Sequence, residues 1–315
     1  MTTAVLTTLA AAVAALLLFR YLKPRLLVRW IFLAVRRLLG FRTRFIDVDG
    51  VTWSYLEGGP ASAETVVLLH GFGGDKDNWP LYAWRLSREY HIIIPDLPGF
   101  GESSKDPNVA YDGSTQAARL RRFIDELQLE RVHLGGNSMG GLIALRFALV
   151  YPQRLLSLAL LNSAGVLGSK RSELELAAAR GENLLTVSTA AEYDELLSFV
   201  MRKPTPLPGV VKQVMADNAI AHQEFWDNIF WPLREEMQNR PMNEQLGDIK
   251  TPTLVIWGRH DRLIDVSCCD VLAAGLPDNE CLVFEAIGHL PMLETPGESS
   301  AAHLAHLRRN AVATF

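Results

Sequence analysis

Apolar positions along the chain fall into two alternating kinds of run. Short, nearly continuous apolar stretches such as Val66-Val67-Leu68-Leu69 and Leu158-Ala159-Leu160-Leu161 are what strands covered on both faces require. Eight strands are predicted on this pattern, at residues 45–48, 51–57, 65–69, 91–95, 131–135, 157–161, 253–257 and 281–284. The first two flank Asp49-Gly50, a strong hairpin signal. The later ones are separated by helical periodicity, so the rest of the sheet is expected to be parallel. The rhythm breaks between 165 and 248, where only helical segments occur (172–180, 190–201 and 210–224), punctuated by Pro204, Pro206 and Pro208. That interval is too long for a loop. The pattern therefore predicts an α/β core over residues 43–165 and 249–315, with a mostly parallel eight-stranded sheet and a helical cap at 166–248.

The first residues follow neither rhythm. From Thr2 to Tyr21 the only charge is Arg20, and about 20 apolar residues suffice to cross a bilayer as a helix. A cleaved signal peptide would begin with basic residues and end on a small-residue cleavage site; here Met1-Thr2-Thr3-Ala4 has no basic side chain and Arg20-Tyr21-Leu22-Lys23-Pro24 follows the run. Residues 1–22 thus read as a transmembrane anchor.

Charge sharpens this picture. The first 45 residues hold eight basic side chains and no acidic one, leaving 23 basic against 35 acidic residues in the remainder. An acidic body argues against a nucleic-acid partner, and a basic collar suits anionic lipid headgroups. Within 23–42, Arg25, Arg29, Arg36 and Arg37 recur at spacings that gather them on one side of a helix, with Trp30 and Phe32 suited to the headgroup boundary. A juxtamembrane helix lying in the interface is expected, the alternative being a helix packed on the globular body or on a second copy, which leaves open a homodimer through the anchor region. The positive-inside tendency sets the body on the cytoplasmic side of a single-pass bacterial inner-membrane protein; headgroup binding by the same collar on the other face is the alternative. The three cysteines make no disulfide framework, and buried inert thiols are expected.

The candidate chemistry begins at Gly136-Asn137-Ser138-Met139-Gly140. Gly-x-Ser-x-Gly alone is a modest signal, but here a predicted strand enters it and the helical run 141–149 leaves it. A strand-turn-helix elbow presents a strained serine and aims a helix N-terminus at the site. A serine hydroxyl needs a base oriented by a carboxylate, in the order Ser, acid, His for this architecture. Loops after the last two strands supply Asp261 and His289, with Asp265 as an alternative carboxylate; both loops lie at the carboxyl edge of a parallel sheet, where sites form. His91, His133, His222, His303 and His306 read as surface or core residues. Two backbone amides are needed for the oxyanion: Met139, directly after the nucleophile, and Phe72 in the loop His70-Gly71-Phe72-Gly73-Gly74.

Together the motifs His70–Trp79, Asp96–Ser103, the elbow, Trp257–Asp261 and Gly288-His289 resemble the α/β-hydrolase superfamily. Within it the chain is similar to membrane-anchored monoacylglycerol lipases of the abhydrolase-domain-containing-six type and to bacterial lipases and phospholipases A. The carrying features are Gly71-Phe72 running into Lys76-Asp77 and Trp79, Ser163-Ala164-Gly165 after the sixth strand, Asp261 with Asp265-Val266-Ser267, and the anchor. The resemblance implies an α/β-hydrolase fold, hydrolysis of lipid carboxylic esters with release of a fatty acid, and no metal or organic cofactor. Phe199, Phe225, Trp226, Phe230 and Trp231 are candidates to line an acyl tunnel beneath the cap. Two other readings stay open. Carbon–carbon bond hydrolases of aromatic-ring cleavage products share an elbow of the form found at Gly136–Gly141, and a ligand-sensing protein could occupy the same fold.

Overall fold

The computed structural model describes residues 23–311. β1 (Arg42–Val48) and β2 (Val51–Gly58) form the antiparallel hairpin, closed with Asp49 and Gly50 both at positive φ, as a two-residue turn matched to strand twist requires. β2 also pairs antiparallel with β4 (His91–Pro95). Beyond β4 every pairing is parallel, through β3 (Thr65–Leu69), β5 (Val132–Asn137), β6 (Leu155–Leu161), β7 (Thr253–Gly258) and β8 (Asn279–Phe284). The spatial order is β1-β2-β4-β3-β5-β6-β7-β8. All eight expected strands are present, most of them a residue or more longer at an end.

Alternation within the strands divides the core. Val66 and Leu68 of β3 and Ile92 and Ile94 of β4 face one side, where α2 (Pro80–Leu86) and α11 (Pro296–Arg309) contribute Tyr82, Leu86, Leu304 and Leu307. Val67, Leu69 and Ile93 face the other, where α3 (Gly113–Glu126), α4 (Met139–Val150) and α9 (Ser267–Gly275) contribute Leu120, Phe123, Ile143, Phe147 and Leu272. Covering both faces is what the unbroken apolar runs demand.

Between β6 and β7 stand the four cap helices, α5 (Glu173–Ala179), α6 (Ala190–Val200), α7 (Gly209–Ala221) and α8 (Gln223–Asn239). α5 starts with a capping box: the Ser172 hydroxyl accepts from Glu175 N–H, and the Glu175 carboxylate accepts from Ser172 N–H. A short α10 (Pro291–Glu294) leads into α11.

α1 (Pro24–Leu38) lies against α7. Val28 is buried and Arg36 turns inward, its guanidinium forked onto the Asp77 carboxylate with Nε donating over 2.7 Å. Trp30, Arg25, Arg29 and Arg37 remain exposed. Arg25, Arg29 and Arg36 share one side of the helix, as their spacing requires, but at its C-terminal end that side meets the body, so Arg36 is engaged there while the others face solvent. Among the described residues no helix is long and apolar enough to cross a membrane; the span expected at residues 1–22 lies outside them.

The cysteines correct the expectation. Cys269 on α9 and Cys281 on β8 are paired in a disulfide, because the helix packs over the strand that follows it. Cys268 alone is a free, buried thiol, and burial pushes it up to about 12.

Candidate active site

The carboxyl ends of four parallel strands bring the expected residues together. Ser138 follows β5, and its φ of +55° and ψ of −119° are those of a strained turn between strand and helix. Glycine is obligatory on either side. A Cβ at Gly136 would meet Gly140 O at 2.2 Å, and one at Gly140 would meet Leu69 O at 2.5 Å. Only without side chains can the strand, the elbow and the first turn of α4 approach so closely.

After β7 and β8 come Asp261 and His289, both buried. His289 Nδ1 lies 2.7 Å from Asp261 Oδ2, which leaves Nε2 as the free ring nitrogen. Asp261 is held rigidly. Oδ1 accepts from Leu263 N–H (2.8 Å) and Ile264 N–H (3.0 Å), while Oδ2 also accepts from Asn162 Nδ2 at 2.7 Å. The alternative carboxylate, Asp265, accepts from Ser267 N–H instead, at the start of α9. The His289 loop is fixed by its neighbours: its N–H donates to Val200 O at the end of α6, and its carbonyl accepts from Asn137 Nδ2. Ser138 Oγ makes no hydrogen bond within 3.5 Å among the described residues, and such contacts commonly tighten only when substrate is bound.

Asn162 and Asn137 escape a sequence reading, since an asparagine at a strand end is ordinary turn chemistry. The positive φ of Asn162 (+44°) is the conformational mark that sets it apart.

The loop after β3 runs beside the nucleophile: a Cβ at Gly71 would sit 3.0 Å from Ser138 Cβ. His70 braces this loop. Its Nε2 accepts from Leu97 N–H (3.0 Å), so the proton is on Nδ1, which donates to Gly71 O (2.8 Å). Burial lowers the pKa of His70, in keeping with that neutral tautomer. Farther along, Lys76 is buried with its ammonium donating to Asp96 Oδ2 (2.5 Å) and Glu102 (2.7 Å). Burial, with the charges of Asp77 and Asp96, pushes Asp75 up to about 7. Neither Phe72 N–H nor Met139 N–H has a hydrogen-bond partner among the described residues. Two free amides flanking a strained serine, one of them at the N-terminus of α4, are suited to receive an oxyanion.

Ser138, Phe72 and Met139 stand in the wall of one cavity beneath the cap. Its lining is mostly apolar, with Val166, Leu174, Ala178, Leu185, Leu263 and Ile264 on the core and α5 side. The opposing wall is one face of α8: Phe230, Leu233, Arg234, Met237 and Gln238. Of the five aromatics expected there, only Phe230 is in this wall, with its ring 5.8 Å from that of Phe72. Trp226 is cap core, its Nε1–H donating to Gly99 O. Phe225 packs on Tyr111, Trp231 on Phe230, and Phe199 beneath the Arg262 guanidinium. Helical phase turns Phe225 and Trp231 away from the Phe230 direction, whereas Trp226, four residues before Phe230 and in phase with it, sits one turn beyond the cavity, where its ring stacks on Phe100. Among the described residues no group of three or more His, Cys, Asp and Glu side chains could hold a metal ion.

A family described as the alpha/beta hydrolase fold matches residues 64–296. The chain is 35% identical over 250 residues to lipase 1 of Psychrobacter immobilis, covering 78% of this chain and 77% of that one. It is 30% identical over 303 residues to monoacylglycerol lipase ABHD6 of Rattus norvegicus, covering 93% and 90%. Among solved structures it superposes on a membrane phospholipase A described as a bacterial virulence factor, with a TM-score of 0.88, 39% identity, and coverage of 99% and 100%.

Proposed function

The chain belongs to the α/β-hydrolase family, and on that premise we propose that it is a carboxylic ester hydrolase cleaving lipid esters through an acyl-enzyme on Ser138. The observation that carries the reading is the setting of Ser138. It occupies a strained elbow in the wall of an apolar cavity, with two unpartnered amides beside it and the His289–Asp261 pair at the neighbouring strand ends.

In this reading Ser138 Oγ attacks the ester carbonyl while His289 Nε2 takes its proton, and Asp261 stabilises the imidazolium that forms. The carbonyl oxygen becomes an oxyanion held by Phe72 N–H and Met139 N–H. Collapse breaks the ester C–O bond, and His289 returns the proton to the leaving alcohol. Water then repeats the sequence on the acyl-enzyme, releasing a fatty acid and restoring the Ser138 hydroxyl.

Lipid esters fit an apolar cavity better than a soluble diketone acid does. The proteins this chain resembles are a lipase, a monoacylglycerol lipase and a phospholipase A. Residues 1–22 serve as the membrane anchor, and the exposed face of α1, with Trp30 between Arg25, Arg29 and Arg37, rests on the headgroups. That arrangement sets the cavity near its substrate. Hydrolysis of monoacylglycerols, lysophospholipids and phospholipids by wild type beside Ser138→Ala tests the reading. A loss of several orders of magnitude in the variant is expected, whereas a wild-type protein that turns over none of these esters ends it.

A further inference from the structure

The face that α8 turns to the cavity is not wholly apolar. Arg234 and Gln238 share it with Phe230, Leu233 and Met237. Other charges nearby are already engaged: Glu236 pairs with Arg146 and accepts from Gly113 N–H, and Glu175, the cavity's acidic side chain, accepts from Ser172 N–H at 2.8 Å. Arg234 has no ion pair and no hydrogen bond among the described residues, and its Nε is buried without a partner. Its one neighbour of note is the Trp231 ring, 5.9 Å from the guanidinium carbon. The Gln238 amide, one turn on, has no side-chain partner among the described residues either.

The Arg234 side chain is half-buried with Nε shielded from water and unpaired, a cost that a ligand would relieve, and its planar fork fits a phosphate or carboxylate. Position adds to this. Arg234 is one helical turn, about 5.4 Å, from Phe230, whose ring meets that of Phe72 in the loop beside Ser138. A polar group a few bonds from a scissile ester at Ser138 would come within its reach.

We propose that Arg234, assisted by Gln238, forms an oxyanion-binding subsite in this cavity, taking the phosphate of an anionic lipid headgroup or the carboxylate of a fatty acid. The identity of the amphiphile rests on the lipid-ester reading; the existence of the subsite does not.

Binding of non-hydrolysable amphiphiles separates the two. Full-length protein in neutral detergent is titrated calorimetrically with an alkyl phosphate, a fatty acid and an uncharged alkyl glyceryl ether of one chain length. Wild type is expected to prefer at least one anion over the ether by roughly 10- to 100-fold, the range of charge-assisted hydrogen bonds. Arg234→Gln abolishes that preference with ether binding and thermal midpoint unchanged, and Arg234→Lys retains part of it. Stronger preference for phosphate identifies a headgroup; stronger preference for carboxylate identifies the product acid. Equal binding of anions and ether by wild type, or a preference that survives Arg234→Gln, overturns the subsite. A protein that shows the preference yet hydrolyses no lipid ester would retain the subsite and lose the proposed function.

Discussion

Replacing Asn162 by glycine removes a side chain that does not line the cavity, yet the proposed mechanism predicts a loss of catalytic rate. Asn162 is fully buried, and its Nδ2 donates to Asp261 Oδ2 at 2.7 Å and to Gly288 O at 3.3 Å. Its Oδ1 accepts from Gly258 N–H at 3.3 Å, so the one side chain ties together the loops carrying Asp261 and His289. Glycine tolerates the φ of +44°, which makes the variant a test of the side chain rather than of backbone strain. The bond to the carboxylate is worth about 1.5–3 kcal/mol, and the two longer neutral bonds about 0.5 kcal/mol or more each. Stability should fall by roughly 2.5–4 kcal/mol. Asp261 keeps three of its four donors, so kcat should fall by about 10- to 100-fold, well short of the ~10⁴-fold expected on losing the carboxylate itself. KM should hold, because Asn162 does not line the cavity. Asn162→Asp, nearly isosteric, sets a second carboxylate against Asp261 and should cost more than glycine. Steady-state kinetics on a soluble ester, beside thermal melts, check this. A glycine variant with unchanged kcat, or one that raises KM alone, would refute the positioning argument.

Three further outcomes are expected. Gly140→Ala forces a Cβ to within 2.5 Å of the Leu69 carbonyl, backbone against backbone, and should yield little folded protein, while Gly209→Ala, with nothing within 4 Å, should be neutral in expression and melting. Arg36→Ala removes the fork to Asp77 and the bond to Thr43, costing roughly 2–4 kcal/mol; limited proteolysis should then cut within 24–38 first, and an unchanged cleavage pattern would mean that α1 is held by its apolar face alone. Burial, with the Arg309 charge, pulls His306 down to about 4. The unfolded chain takes up this proton from about pH 6.5 downward and the native one only near 4, so stability is lost as pH falls through that window, by about 1.4 kcal/mol per unit. His306→Gln should flatten the slope of unfolding free energy between pH 6 and 4.5 by that amount, and an identical slope would contradict the burial argument.

What the chain reveals and what it hides have physical causes. Strand positions were legible because burial on both faces leaves unbroken apolar runs, and the hairpin because Asp49-Gly50 suits few other conformations. The elbow and the pairing of Asp261 with His289 were legible because the chemistry proposed for Ser138 needs particular residue types in order after particular strands. The cavity wall was not. Which face of α8 meets Ser138 depends on how the cap settles on the core, and an aromatic-rich stretch such as 225–231 has aromatics on every side. Asn162 and Asn137 act through side-chain hydrogen bonds across strand ends, and no periodicity marks those. The inward turn of Arg36 needed knowledge of Asp77, 41 residues on. The disulfide needed the packing of α9 over β8.

Trapping the covalent intermediate tests the central claim most directly. Full-length protein is mixed with a slowly deacylating ester, quenched in acid within the first turnovers, digested and mapped by mass spectrometry. The account predicts one acyl group per chain, on the peptide carrying Ser138, accumulating in wild type and absent from Ser138→Ala. Turnover with no acylated peptide, or an acyl group on another residue, would contradict it.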